Sequence, residues 1–234
     1  MGTYDLDSFG FSSYDGLNGQ LIAWRYEALA KYFRGRTCLE LGSSDGRGTG
    51  FLAQSFARVV AVDGSHEAVA SLRKRFAHRN VEAVEARFES LALSEKFDTV
   101  VMAHILEHVD DPTEVLAVAK RHLAPSGVII ADVPNANSIH RQVGVAMGMM
   151  GAVTDLNDAD RSIGHQRVYT PAAFQAEFKR AGLKVRKLGG FLVKPVSNSQ
   201  MEQWFEEPLT RALFDIGRRY PDIAADIFVV AARA

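Results

Sequence analysis

Between Thr37 and Val133 the chain alternates short apolar runs with segments of helical period, and few folds accommodate that rhythm. Thr37–Leu41, Arg58–Val62, Val81–Val84, Phe97–Met102 and Val128–Val133 read as strands. Gly48–Phe56, a helix capped by Ser65 and running to about Ala77, and one opening at Pro112 and ending near Leu123 lie between them. Strands this apolar are covered on both faces, which predicts a mostly parallel sheet with helices on either side. Thr170-Pro171 opens a further helix that ends at Gly182, and strands follow within Leu183–Leu192 and over Asp226–Ala232. The expected fold is therefore α/β with a mostly parallel, seven-stranded sheet. Ahead of it, Leu21, Ile22, Trp24, Leu29, Tyr32 and Phe33 recur near helical spacing from Gln20 to Phe33, with Trp24 expected in the core.

We expect one domain over residues 1–234, with 1–33 as an N-terminal arm and helix. Two stretches, 135–166 and 194–220, break the rhythm. Connections this long usually form lids or binding elements, so both are assigned to a cap over the substrate; helical decoration or a dimer contact is the alternative. Met147, Met149, Met150, Met201, Trp204 and Phe205 in them fit an apolar pocket wall or, nearly as well, the face of a homodimer.

Charge narrows the partners. Lys and Arg total 27 against 28 Asp and Glu, so no global field draws the chain to nucleic acid or to an anionic membrane. The basic run Arg73-Lys74-Arg75, with His78 and Arg79, reads as a solvated helix face. The longest apolar run, Val143 to Val153, is too short to span a bilayer, and Met1 to Gly10 lacks the basic start of a secretory signal. A single cysteine, Cys38, leaves no intramolecular disulfide and no multi-cysteine zinc site; a cytoplasmic protein is expected.

Chemistry concentrates where the first strand ends. Cys38-Leu39-Glu40-Leu41-Gly42-Ser43-Ser44-Asp45-Gly46-Arg47-Gly48-Thr49 runs from strand through a glycine-rich turn into a helix, and Asp63 closes the next strand. Glycines let backbone bend tightly beside a ligand, and an acid at the second strand's end can hold ribose hydroxyls. The glycine spacing is not Gly-x-Gly-x-x-Gly, and Glu40 and Asp45 would repel a pyrophosphate. They suit a ligand carrying an ammonium and a sulfonium.

This segment resembles motif I of the class I S-adenosylmethionine-dependent methyltransferases, acid-x-Gly-x-Gly-x-Gly, with Ser44 where the middle glycine commonly stands. Asp63 matches the family's ribose acid, Phe97–Val109 its fourth-strand motif, and Leu123-Ala124-Pro125-Ser126-Gly127-Val128 its turn before the fifth strand. The resemblance implies a Rossmann-like sheet, S-adenosyl-L-methionine as cofactor and S-adenosyl-L-homocysteine as product. It implies Glu40 and Gly42 at the methionine end, with Ser43 and Gly46 of the turn in the same site. Asp63 would hold the ribose and Gly64 the adenine. Arg87 stands where an adenine-binding Asp is usual, leaving Phe88 to pack there, and Tyr14 of the arm would contact the cofactor.

A hydroxyl or ammonium acceptor must lose a proton, so a histidine near the methyl is sought. His104 follows the fourth strand. His165 lies in His165-Gln166-Arg167-Val168-Tyr169-Thr170-Pro171, which resembles the family's His-x-Arg segment facing the acceptor. Each is a candidate base, or else a residue that shapes the pocket; His104 has the edge. His104, Glu107 and His108 would share a helix face and could ligate a divalent ion. A related Glu-x-x-Glu-His cluster does so in small-RNA 2′-O-methyltransferases and ubiquinone-pathway enzymes. Here His104 replaces the first Glu and Leu-Glu-His-Val also occurs in metal-free relatives, so no metal is expected. The acceptor is expected to be a small molecule, methylated on oxygen; nitrogen, or a catalytically inactive cofactor-binding partner, is the alternative. An Asn/Asp-Pro-Pro-Tyr signature of nucleic-acid amine methylation is absent.

Overall fold

The computed structural model describes residues 16–234; Tyr14 lies outside them. The helices are α1 Gly16–Leu29, α2 Arg47–Ser55, α3 His66–Arg75, α4 Pro112–His122, α5 Ile139–Ala146, α6 Asp158–Ser162, α7 Pro171–Arg180, α8 Asn198–Trp204 and α9 Glu207–Arg219. The strands are β1 Thr37–Leu41, β2 Arg58–Asp63, β3 Val81–Glu85, β4 Phe97–Ala103, β5 Leu123–Pro134, β6 Leu183–Phe191 and β7 Asp226–Arg233. They form one seven-stranded sheet in the order β3-β2-β1-β4-β5-β7-β6. β1 pairs in parallel with β2 and β4, and β2 with β3.

Chain contacts divide the protein into two compact units. Of the described residues, one holds 16–102, Ala117–Ile129 and Arg233; the other holds Ala103–Leu116, Ile130–Ala232 and Ala234. In the first, Cys38, Leu39 and Leu41 of β1 are fully buried, and Tyr26 of α1 stacks on Phe51 of α2 at 5.2 Å. Trp24 is buried as expected. The start of β1 is fixed by Asp98, whose Oδ2 accepts hydrogen bonds from the Arg36 and Thr37 amides and the Thr37 hydroxyl. Those bonds hold the Asp98 carboxyl below its ordinary pKa, outweighing the upward push of burial.

In the second unit Phe191 of β6 stacks between Phe214 of α9 at 5.4 Å and Phe228 of β7 at 4.8 Å. α9 approaches β6 closely because Gly217 has no side chain: a Cβ there would strike the backbone nitrogen of Leu192. Thr170 caps α7 by accepting from the Ala173 amide, with Pro171 in the first turn.

Three expectations are corrected. Leu123–Gly127 is extended and belongs to β5 rather than forming a turn. Gly127 lets it lie against β4, since a Cβ would come within 2.9 Å of the Asp98 carbonyl oxygen. Residues 104–108 form a turn rather than a helix, with the His108 amide donating to the Ile105 carbonyl. Met201 is fully buried in the core, whereas Met147, Met149 and Trp204 are 68%, 73% and 57% exposed, so these residues do not share one wall.

Candidate active site

The turn after β1 is built from backbone that few side chains tolerate. Gly42 and Gly46 have φ of 85° and 84°, and Ser44 adopts 46°. The Gly42 amide donates to the Val62 carbonyl at 2.8 Å, and the Gly46 amide to Ser43. Asp63 closes the arrangement from the end of β2. Its Oδ2 accepts the Ser43 and Ser44 amides at 3.1 and 2.9 Å, and its Oδ1 accepts the Ser65 amide at 2.9 Å. A carboxylate oxygen has two acceptor sites, so Asp63 is aimed by the turn with capacity left for hydroxyl donors.

Glu40 lies beneath the turn, 2% exposed, and its Oε2 accepts from Thr49 Oγ1 at 2.6 Å. Burial is the main cause that lifts its pKa to about 8; Asp63 and Asp45 add to it and the Thr49 bond opposes it. A Cβ on Gly48 would collide with the Tyr26 hydroxyl and come within 3.0 Å of Glu40 Oε1. Gly64 is open, its Cβ position 3.9 Å from the Ala86 carbonyl oxygen. The Ala86 amide donates to the Asp63 carbonyl, which brings the segment after β3 alongside; Arg87 there is exposed and Phe88 half-buried. Glu40, Gly42, Ser43, Gly46, Asp63 and Gly64 are thus assembled in one place, with Arg87 and Phe88 at its edge.

The second unit gathers the two histidines on one carboxylate. His104 has φ 53° at the end of β4, a strained conformation for a side chain of this size. Its Nδ1 faces Glu107 Oε1 at 3.1 Å, and its Nε2 faces Asp132 Oδ2 at 3.4 Å and Asp226 Oδ1 at 3.8 Å. His165 turns Nδ1 to Asp160 Oδ1 at 3.2 Å and Nε2 to Glu107 Oε1 at 3.9 Å. Burial pushes the His165 pKa down. Arg141 from α5 fixes Asp160 through Nη1 at 2.9 Å, and Asn157 completes a capping box with Asp160. Lys194 donates to Asn198 Oδ1 at 2.9 Å; burial lowers its pKa, while Asp226 opposes that shift. Burial and the nearby Lys194 hold His140 at about 3, uncharged.

Glu107, His108 and His165 each bring one ligand atom within 4.8 Å of the others. The trio differs from the one considered from spacing: His165 stands in it in place of His104, although His104 Nδ1 also faces Glu107. Two imidazoles and a carboxylate are a donor set that fits a divalent ion. Sequence reasoning missed Asp132, Asp226, Asp160 and Arg141. A lone acid inside the apolar run Ile129–Val133 was the one local signal, for Asp132. Also in this unit, a cavity of about 740 Å³ is lined by Met149, Met150, Leu156, Arg161, Gln166 and Val168, among others.

A mostly parallel sheet with an acid-rich glycine turn at the end of β1 and a second acid ending β2 is the frame of a cofactor-binding α/β protein, and comparison identifies its class. The family described as "Methyltransferase domain" matches residues 16–188. The chain is 33% identical over 169 residues to a cypemycin N-terminal methyltransferase of a Streptomyces species, covering 68% of this chain and 66% of that protein. It is 28% identical over 186 residues to a ubiquinone biosynthesis O-methyltransferase of Paramagnetospirillum magneticum, covering 76% and 71%. The crystal structure of an S-adenosylmethionine-dependent methyltransferase from Mesorhizobium loti shares its fold, with a TM-score of 0.66 and 16% identity over 93% of this chain and 100% of that one. The chain belongs to the methyltransferase domain family and is an S-adenosylmethionine-dependent methyltransferase. Among the described residues no helix is long and apolar enough to cross a membrane.

Proposed function

We propose that the protein methylates a nitrogen of a small-molecule acceptor. The observation that carries the choice of atom is the placement of the histidines. A hydroxyl acceptor needs a base to take its proton. Both ring nitrogens of His104 and of His165 face protein carboxylates. A neutral amine attacks with its own lone pair, and positioning does most of the work. The likeness to an enzyme named for N-terminal methylation supports the same reading. Oxygen, the reading drawn from the sequence, is the second one, supported by the likeness to an O-methyltransferase.

The first unit is assigned the cofactor. When bound, S-adenosylmethionine supplies an electrophilic methyl carbon and leaves as S-adenosylhomocysteine. The residues fit it: the acids of the turn favour a cationic ligand over a pyrophosphate, and the open backbone at Gly64 leaves space beside Asp63. Asp63 is assigned to the ribose hydroxyls, Gly42, Ser43 and Gly46 to the methionine end with Glu40 beneath them, and Gly64, Arg87 and Phe88 to the adenine. The second unit is assigned the acceptor, with His104 and His165 orienting it and the segments 135–166 and 194–220 capping it. The buried, free Cys38 supports a reducing, cytoplasmic setting.

The test is transfer of isotope-labelled methyl to a panel of primary amines and phenols. Label on amines is expected, with a rate that rises through the amine's own pKa and keeps that profile in His104→Gln. Label on phenols, with a rising limb near the histidine value of about 6.5 that His104→Gln or His165→Gln removes, would restore the oxygen reading. No label on either class would place the acceptor outside both and remove the nitrogen reading for simple amines.

A further inference from the structure

Asp160 is pinned on one oxygen and turned to His165 with the other. Arg141 of α5, 4% exposed, donates from Nη1 to Asp160 Oδ2 at 2.9 Å, and the Asn157 amide donates to the same oxygen at 3.0 Å. The rest of the guanidinium is held by the Val153 carbonyl at 2.7 Å and by the Asp155 carbonyl. With two donors on Oδ2 and a cation beside it, this carboxyl is ionised and can only accept. Its Oδ1 lies 3.2 Å from His165 Nδ1, and the His165 amide donates to the Asp160 carbonyl at 2.9 Å, which keeps the ring close. A carboxylate facing one nitrogen of a neutral imidazole selects the tautomer with the proton on that nitrogen. The other nitrogen, Nε2, then carries a lone pair. It lies 3.9 Å from Glu107 Oε1, beyond hydrogen-bonding distance, and the ring of His108 packs edge-on against this imidazole at 4.7 Å.

We propose that Arg141 is a positioning residue: by pinning Asp160 it fixes His165 with its proton on Nδ1, so that Nε2 accepts an N–H of the acceptor amine. The inference rests on the reading that the second unit holds a nitrogen acceptor. It narrows that acceptor to an amine that keeps an N–H, primary or secondary. The bond to Nε2 aims the amine nitrogen and leaves its own lone pair for the methyl carbon.

The tautomer is read without any acceptor, by long-range proton–nitrogen NMR of the whole protein with nitrogen-labelled histidine. The measurement is made near pH 8, above the ordinary histidine value of about 6.5, and the His165 signals are those missing from His165→Gln. The wild type should show a protonated Nδ1 and a bare Nε2. In Asp160→Asn the donors from Arg141 and Asn157 should keep the amide oxygen in the Oδ2 place. The NH2 group then faces His165, and the proton should move to Nε2. Arg141→Met should leave a mixture of the two tautomers. A protonated Nε2 in the wild type would overturn the proposal even if neither variant folds. So would an Nδ1 proton unchanged in folded Asp160→Asn or in folded Arg141→Met. With a primary amine that takes up labelled methyl, Asp160→Asn should raise KM by about tenfold or more, because two N–H donors then face each other. Its affinity for S-adenosylhomocysteine should stay that of the wild type. An unchanged KM would overturn the link from His165 to the acceptor. Label on no amine would instead overturn the nitrogen reading beneath it, whatever the tautomer.

Discussion

Gly48 shows how little room the turn leaves. Tyr26 is 2% exposed and stacked on Phe51, so its hydroxyl cannot swing away from an added methyl. Gly48→Ala is expected to cost about 1–3 kcal/mol of stability. Tyr26→Phe, which deletes the obstructing oxygen, should recover part of that in the double variant, read by chemical denaturation. Glu40 yields a second expectation. Its folded pKa of about 8 lies above the ordinary carboxylate value, so the folded state takes up a proton and stability falls as pH rises from about 4.5 to 8. Glu40→Gln should therefore be more stable than the wild type at pH 7 to 8, with the difference shrinking toward pH 4.5. A Glu40→Gln advantage over the wild type that is no larger at pH 8 than at pH 5 would refute the buried, protonated carboxyl. At this scale the turn was legible because glycines and acids alternate visibly between Cys38 and Thr49. The burial of Glu40 was not, since the letters of a strand do not say which acid faces solvent.

Among the elements, α9 is held by the absence of a side chain at Gly217. Gly217→Ala is expected to push the helix off the end of β6 and to cost about 1–3 kcal/mol, visible as a lowered denaturation midpoint. A midpoint equal to the wild type's would mean that α9 shifts freely. The strands, and helices such as α3 and α7, were readable from apolar runs and caps such as Ser65 and Thr170, because local propensity and pattern agree there. The assembly of His104, His165, Glu107, Asp132 and Asp226 was only half readable. Its members come from a turn, two strands and a segment far along the chain, and only folding shows which carboxylate each imidazole meets. Glu107, between His104 and His165, is read as positioning those imidazoles rather than as an ion ligand. Methyl transfer is accordingly expected to survive exhaustive chelation; loss restored by a divalent ion would assign a metal to Glu107, His108 and His165.

At the scale of the molecule, the exposed Met147, Met149 and Trp204 support a homodimer, for which sedimentation should show twice the monomer mass of 25.7 kDa. A monomer at micromolar concentration would leave those side chains as cap surface. The claim on which the rest depends is that the acid-rich turn and Asp63 bind S-adenosylmethionine, and calorimetry with S-adenosylhomocysteine tests it most directly. The wild type should bind it and not NAD. Asp63→Ala, shown to be folded, should bind it more weakly by about 1.5–3 kcal/mol, the worth of hydrogen bonds to a charged group. Equal affinity in the two proteins, or binding of NAD by the wild type, would contradict it.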